Sequence, residues 1–202
     1  MNKIKFTLIV IILNYNNFYS QTYPLYNTPE NLYFIDNAYY KDMNEDLNKY
    51  EGIWRINLNV NSFFEIHFTK VFYNDLSMKR KYDTLIGEVK FVENNSLLYD
   101  TTSNVSNIYA NHAIMAWGIF DTVFGMYQLE CPLCLSNEKY IQGYFKDPLR
   151  NLLPGKISMK HFTENGVEKI KIKLLIVGSI ADDISYDDFL LPSGEYILTK
   201  IN

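Results

Sequence analysis

The sequence predicts an all-β fold, in which an antiparallel meander closes into a β-barrel after one short N-terminal helix. Several runs alternate between apolar and polar side chains, a period of two that is typical of half-buried strands. Turn-forming residues, such as Asn165-Gly166, separate consecutive runs as in hairpins. Because neighbouring runs are joined by short turns, an up-and-down barrel fits better than a Greek-key sandwich.

Residues 1–20 predict a secretory signal peptide. Lys3 and Lys5 form a positive start, Phe6 to Leu13 form an apolar stretch, and a polar segment ends in the small residue Ser20. The apolar stretch is shorter than the roughly 20 residues that a membrane-spanning helix needs. We therefore expect a mature chain that starts at Gln21, is secreted or periplasmic, and has no integral membrane segment.

Composition limits the partners of the mature chain. Removal of residues 1–20 leaves 17 basic and 23 acidic side chains, a net charge of −6. Nucleic-acid binding and docking on an anionic membrane both require a basic surface, so this balance argues against them. The remaining length is typical of one domain, which we place at residues 42–202.

An extended N-terminal arm is predicted over residues 21–41, which contain two prolines and no sustained period. Asp42 and Glu45 then have the spacing of a capping box, with Asp in place of Ser or Thr. This predicts a short helix at 43–50 that ends at Gly52. The aromatic residues expected to hold the arm against the domain are Tyr33, Phe34, Tyr39 and Tyr40.

The strand pattern starts at Gly52, where Trp54 and Ile56 alternate with Arg55 and Asn57. Polar segments at 74–83, 102–113 and 179–192 are predicted as loops, the last with room for one helical turn. The predicted strands are 54–60, 64–73, 85–92, 97–101, 114–120, 124–129, 140–145, 156–162, 167–177 and 195–201.

Four segments resemble an uncharacterised family of small secreted proteins from Bacteroidetes, especially flavobacteria. They are Gln21 to Leu25, Ala38 to Asp42, Leu47 to Trp54 and Gly194 to Lys200. The family is a domain of unknown function, so the resemblance implies secretion and no particular activity.

Gly52-Ile53-Trp54 resembles the Gly-x-Trp of lipocalin-like barrels, in which a short helix leads into the first strand. That resemblance implies structural roles for Gly52 and Trp54, with the Trp ring packed across the closed end of the barrel. Lipocalins usually place an Arg near the last strand to stack on this ring. Residues 178–202 hold no Arg, and Lys200 is the basic candidate there.

Cys131-Pro132-Leu133-Cys134 is the one motif with direct chemical potential. A local disulfide is the favoured interpretation in an oxidising compartment, ahead of a redox-active pair, free thiols or a metal site. A zinc site would need a second pair of ligands, and His67, His112 and His161 are scattered along the chain. We also expect His67 to face away from the apolar residues of its strand.

An acidic cluster near the C-terminus could hold Ca²⁺, but it lacks the turn glycine of an EF-type loop, so a solvated loop is favoured. The cluster comprises Asp182, Asp183, Asp187 and Asp188. The sequence contains no nucleophile elbow, phosphate loop or His-Glu-x-x-His motif. We therefore predict no catalytic residue, cofactor or metal.

The leading functional hypothesis is a secreted, non-enzymatic β-barrel protein that binds a small apolar ligand or an extracellular protein. Its basis is the alternating aromatic strands and an architecture whose interior can form a cavity. The alternative is a structural or adhesive protein of the cell envelope. A third hypothesis, an extracellular enzyme, is supported by no motif in the sequence.

Overall fold

The computed structural model describes residues 21–26, 28, 35–121, 125–178 and 186–201. The predicted signal peptide lies outside these residues. The described chain contains eleven strands in one sheet. They are β1 (Thr22–Pro24), β2 (Tyr39–Lys41), β3 (Gly52–Asn59), β4 (Ser62–Asp75), β5 (Arg80–Glu93), β6 (Ser96–Asp100), β7 (Ile114–Phe120), β8 (Tyr140–Phe145), β9 (Gly155–Glu164), β10 (Val167–Ile176) and β11 (Gly194–Ile201).

Eight of these strands form a closed antiparallel barrel, which confirms the predicted all-β meander. The order around the barrel is β3, β4, β5, β7, β8, β9, β10 and β11, and β11 pairs with β3 to close it. Each strand therefore pairs with the barrel strand that follows it in sequence. The Asn165-Gly166 turn joins β9 to β10 with φ values of 52° and 77°, as expected for a tight hairpin.

The edge of β5 that faces away from β4 is shared by three strands. Lys81 and Tyr82 pair with β2, residues 85–87 pair with β7, and residues 90–93 pair with β6. Strand β6 is thus a branch outside the barrel circuit. Because β6 and β7 use the same edge of β5, the segment between them must leave the sheet and return to it.

The N-terminal arm adds two short parallel strands, β1 and β2, to this edge. Tyr40 is buried, and its ring stacks between those of Tyr23 and Tyr82 with centroid distances of 5.9 and 5.3 Å. Tyr39 donates a hydrogen bond from its hydroxyl to Asp83, 2.6 Å away. Tyr33 and Phe34, the other predicted anchors, lie outside the described residues.

The helix predicted at 43–50 is replaced by a single 3-10 turn, Asn48–Tyr50. Glu45 has a φ of 57°, a left-handed conformation that interrupts a right-handed helix. The Asp42 carboxylate accepts hydrogen bonds from the backbone N–H groups of Asp46 and Leu47. Asp42 therefore caps a turn further along the chain than the predicted capping box requires.

Two other predictions, the loop at 74–83 and the strand at 124–129, are corrected by hydrogen bonds that the sequence pattern does not reveal. The loop expected at 74–83 shrinks to 76–79, because β4 and β5 remain paired to their tips and the Asp75 carboxylate accepts from the backbone N–H groups of Ser77 and Met78.

The strand expected at 124–129 is also absent among residues 125–129, where the chain forms a 3-10 turn at Gly125–Tyr127. Phe124 itself lies outside the described residues. The Gln128 and Leu129 carbonyls accept hydrogen bonds from the Lys173 ammonium and the Tyr140 hydroxyl. Side chains rather than a neighbouring strand therefore satisfy this backbone.

The barrel interior is filled by aromatic and aliphatic side chains, because the inward positions of its strands are apolar. Burial of this apolar surface is the dominant favourable contribution to folding. The inward residues that are at most 1% exposed include Trp54, Phe64, Ile66, Leu85, Val89, Ile114, Ile141, Ile157, Met159, Ile170, Ile172 and Leu198. Among the described residues, no helix is both long enough and apolar enough to span a bilayer.

Candidate functional site

The candidate site lies on the outer face of β5, beneath the segment 101–113 that joins β6 to β7. Gly87 and Val89 flank Glu88 in a strand, so the side chain of Glu88 points away from the core face on which Val89 lies. Glu88 is nevertheless fully buried. The 3-10 turn Thr102–Ser106 contacts β4 and β5, and the Thr101 hydroxyl accepts a hydrogen bond from the Val89 N–H. The segment therefore covers this part of the outer wall.

Glu88 and His112 form a buried pair under this cover. Nδ1 of His112 lies 2.5 Å from Oε1 of Glu88, and the two side chains are 1% and 0% exposed. An ionised Glu88 only accepts hydrogen bonds, so in that state Nδ1 is the donor of this contact. The opposite atoms, Nε2 of His112 and Oε2 of Glu88, are buried and have no hydrogen-bond partner among the described residues.

Two neighbouring cavities meet at His112, and we call the region that they line the His112 cleft. Their volumes are about 170 and 230 Å³. Both are lined by Asn111, His112, Ala113 and Lys146. The first cavity adds Thr101, Pro148 and Asn151, and the second adds Ala110, Met115 and Tyr144.

Backbone hydrogen bonds hold the two walls of the cleft together. The Lys146 N–H donates to the Ala113 carbonyl across 2.8 Å, which joins the end of β8 to the start of β7. The Asp147 carboxylate is fully buried and accepts from the N–H groups of Leu149, Arg150 and Leu190, at 2.9, 3.0 and 2.7 Å. Asp147 therefore fixes the loop that carries the second wall. Its carboxylate oxygens accept hydrogen bonds from backbone N–H groups.

A second cluster surrounds Trp54 at the start of β3. The indole Nε1 donates to the Tyr50 carbonyl across 2.7 Å, and the side chain is fully buried. The Lys200 ammonium lies 5.4 Å from the ring centroid, within range of a cation–π interaction. Gly52 has a φ of 117°, and a Cβ atom there would lie 3.2 Å from Cε of Lys200. Gly52 thus combines a left-handed backbone with the close approach of this lysine.

Glu168 completes this cluster. Its carboxylate lies 2.9 Å from the Lys200 ammonium and 3.2 Å from Nε2 of His161. The hydrogen bond from Lys200 lowers the pKa of Glu168 below its ordinary value, and burial lowers the pKa of His161. Every polar group named in this cluster has a partner, in contrast to the His112 cleft.

The profile of DUF6705, a family of unknown function, matches residues 1–201 of the chain. The chain belongs to this family. No curated protein and no solved structure matches it.

The cysteine motif of this DUF6705 chain lies in a loop on the outer barrel wall. Cys131 and Cys134 lie at disulfide-bonding distance, with their Cα atoms 5.3 Å apart. The Lys171 ammonium donates to the Glu130 carbonyl, which anchors the loop next to the pair. This placement favours the structural disulfide over a redox-active pair.

Two of the four residues of the acidic cluster, Asp187 and Asp188, lie within the described residues. Asp182 and Asp183 lie outside the described residues, and Asp187 is exposed. Asp188 accepts hydrogen bonds from the N–H groups of Phe189 and Ser193, so it stabilises a turn. Within the described part of the chain, no group of three or more His, Cys, Asp or Glu side chains is arranged to hold a metal ion.

The three histidines occupy different environments. His67 is partly buried, with its Nε2 atom 3.2 Å from Glu65. His161 belongs to the Trp54 cluster. His112 pairs with Glu88, which is 24 residues away in sequence, and the sequence patterns did not connect the two. The sequence feature that could have indicated this pair is Glu88, a charged residue inside the largely apolar run 85–92.

Proposed function

We propose that this protein is a secreted, non-enzymatic binding protein that takes a small ligand in the His112 cleft. Residues 1–20 and the resemblance to secreted proteins support the secreted location. The observation that carries the binding site is the pair of cavities against His112, a residue whose Nε2 is buried without a hydrogen-bond partner among the described residues. An unpaired buried donor or acceptor costs about 1–3 kcal/mol, which a ligand that pairs with it recovers.

The cleft is a better location than the barrel interior for such a ligand. The hypothesis of an apolar ligand relied on an open interior, but Trp54, Phe64 and Ile66 are fully buried among other core side chains. Close-packed interiors leave few voids larger than a water molecule. A ligand in the interior would have to displace these side chains, whereas the cleft already offers a cavity.

The lipocalin-like label describes the architecture in this proposal rather than the ligand. It is supported by the eight-stranded antiparallel barrel and by Trp54 at the start of β3. Lys200 lies opposite Trp54 on β11 and over its ring, where a lipocalin has an arginine. The likeness supports a stable scaffold that carries its binding site on the outside.

A fragment screen tests the location of the site. Amide ¹H–¹⁵N correlation spectra of the purified protein are recorded with a library of water-soluble anionic, cationic, neutral and apolar fragments. We expect the hits to shift the amides of residues 110–113 and 146. Asn111→Trp, an exposed position in the cleft wall, should abolish these shifts, and Asn57→Trp on β3 should not. Hits that shift core amides such as Ile66 instead would contradict the proposal.

A second candidate function is adhesion through the β4–β5 hairpin. Phe72 near the end of β4, and Leu76 and Met78 in the turn that follows, are 50, 79 and 54% exposed. Exposed apolar groups of this kind mark interaction surfaces when they are contiguous. Capture of a cell-envelope protein by the wild type, but not by a variant with Ser at all three positions, would support adhesion.

A further inference from the structure

We infer that the ligand of the His112 cleft is a small molecule with an anionic oxygen group, a carboxylate or a phosphate. This inference rests on the proposed binding site and specifies its chemistry. It is drawn from the charge of the lining residues, the orientation of the His112 ring and the backbone hydrogen bonds that the Asp147 carboxylate accepts.

The cleft is lined by a lysine, Lys146, in a protein that is acidic as a whole. Lys146 and His112 line both cavities, together with the Asn111 side chain, and Asn151 and Thr101 line the first. Among the described residues, no Asp or Glu lines either cavity. No ion pair joins Lys146 to an acidic side chain within the described ranges, so its ammonium group is available to a ligand.

The contact with Glu88 fixes the His112 ring at the wall of the cleft. The contact between its Nδ1 and Glu88 sets the orientation of the ring, because both side chains are buried. When the ring carries two protons, both nitrogens donate, and the Glu88 carboxylate balances the charge. Nε2–H is then the atom left for an anionic oxygen, and a charge-assisted hydrogen bond of this kind is stronger than a neutral one.

The carboxylate nearest in sequence does not compete for this site. Asp147 follows Lys146 directly, but its side chain is fully buried and accepts three backbone N–H groups, those of Leu149, Arg150 and Leu190. Asp147 therefore shapes the wall without presenting its oxygens to the cavity. Lys146 is the charged residue of this segment that lines the cleft.

The size of the cavities restricts the ligand further. At about 170 and 230 Å³, each is smaller than the ~300–1,000 Å³ of pockets that hold drug-sized molecules. The lining positions are mostly polar, and Met115 and Tyr144 add apolar surface only to the second cavity. This combination fits a small acid better than a lipid.

The test is a titration of the purified protein with sodium acetate, inorganic phosphate and acetamide, followed by the amide resonances of residues 110–113. Acetamide has nearly the shape of acetate without its charge. We expect saturable shifts with acetate or phosphate and none with acetamide. The stronger of the two anions then distinguishes a carboxylate ligand from a phosphate ligand.

Two lysine variants make the test specific. Lys146→Gln should raise the dissociation constant of the anion about tenfold, the factor that corresponds to ~1.4 kcal/mol. Lys41→Gln removes one exposed positive charge from β2, outside the cleft, and should leave the constant unchanged. His112 is kept in both variants, so the buried pair with Glu88 is not disturbed.

The outcomes separate this inference from the proposed function. Binding of acetamide at residues 110–113 without binding of either anion would overturn the anionic ligand and leave the cleft as a binding site. Equal weakening by Lys146→Gln and Lys41→Gln would show only general attraction of anions and would also overturn it. If no fragment of any class shifts these amides, both proposals fail.

Discussion

His112 Nδ1 lies 2.5 Å from Oε1 of Glu88 in a contact that is sealed from solvent on the outer wall of the barrel. Each partner keeps a second polar atom, Nε2 or Oε2, that has no hydrogen-bond partner among the described residues. Buried polar groups are nearly always paired in folded proteins. The pair therefore offers two buried polar atoms whose pairing by a ligand would be favourable.

We predict that the pair is energetically coupled. Glu88→Leu or His112→Leu alone should lower the free energy of unfolding by about 3–5 kcal/mol, because each leaves a buried partner uncompensated. The double variant should lose less than the sum of the two, because no uncompensated group remains. Urea unfolding of the four proteins measures the coupling. Strictly additive losses would mean that the two side chains do not interact.

The Lys200–Glu168 ion pair should make stability depend on pH in the acidic range. The folded-state pKa of Glu168 lies below its ordinary value of 4.5, first because Lys200 donates a hydrogen bond to the carboxylate. The stabilisation is thus present above pH 4.5 and is lost as the pH falls through the folded-state pKa.

Glu168→Gln should remove this contribution. Glu168 is 43% exposed, so solvent screening limits the loss at pH 7 to less than about 1 kcal/mol. The difference from the wild type should shrink as the pH falls below 4.5 and through the folded-state pKa, and Glu93→Gln at the exposed end of β5 should show no such pattern. A difference that grows as the pH falls would contradict the assignment.

The disulfide should contribute little to stability. Cys131 and Cys134 close a loop of four residues, for which the loop-entropy relation gives about 2 kcal/mol at most. The Lys171 contact to the Glu130 carbonyl holds the loop in place independently. Thermal unfolding of the double Cys→Ser variant should show a small decrease in the midpoint. Failure of that variant to fold would show that the loop has a larger role.

The β9–β10 turn offers a test of backbone conformation alone. Gly166 has a φ of 77°, and a Cβ atom built there has no neighbour within 4 Å. Gly166→Ala should therefore cost about 1 kcal/mol through its left-handed backbone, without a steric clash. Gly166→Asn should cost less, since Asn tolerates this conformation. Equal effects of the two substitutions in chemical denaturation would contradict this explanation.

The strands could be predicted from the sequence because their apolar positions repeat with a period of two. Trp54, Phe64 and Ile66 face inward as their alternation indicates. Periodicity could not exclude the helix at 43–50, because the feature that interrupts this helix is the left-handed backbone conformation of Glu45. Residues 125–129 form no strand, although their pattern predicts one: Gly125–Tyr127 is a 3-10 turn, and the Gln128 and Leu129 carbonyls accept from the side chains of Lys173 and Tyr140.

The candidate site could not be predicted, because it depends on the path of an irregular segment. Residues 102–113 have no period, and their composition indicated only a loop. The contact between Glu88 and His112 arises since β6 and β7 share one edge of β5, which forces the intervening segment over the outer wall. Strand periodicity carries no information about such a branch.

The most direct test of this account is the ¹⁵N spectrum of the His112 imidazole. Long-range ¹H–¹⁵N spectra are recorded with and without sodium acetate or phosphate, and the ring is assigned by comparison with His67→Gln and His161→Gln. We predict a saturable shift of Nε2, with Nδ1 remaining close to its value in the free protein because Glu88 still holds it. Fragment binding that leaves both His112 nitrogens unchanged would contradict the His112 cleft as the binding site.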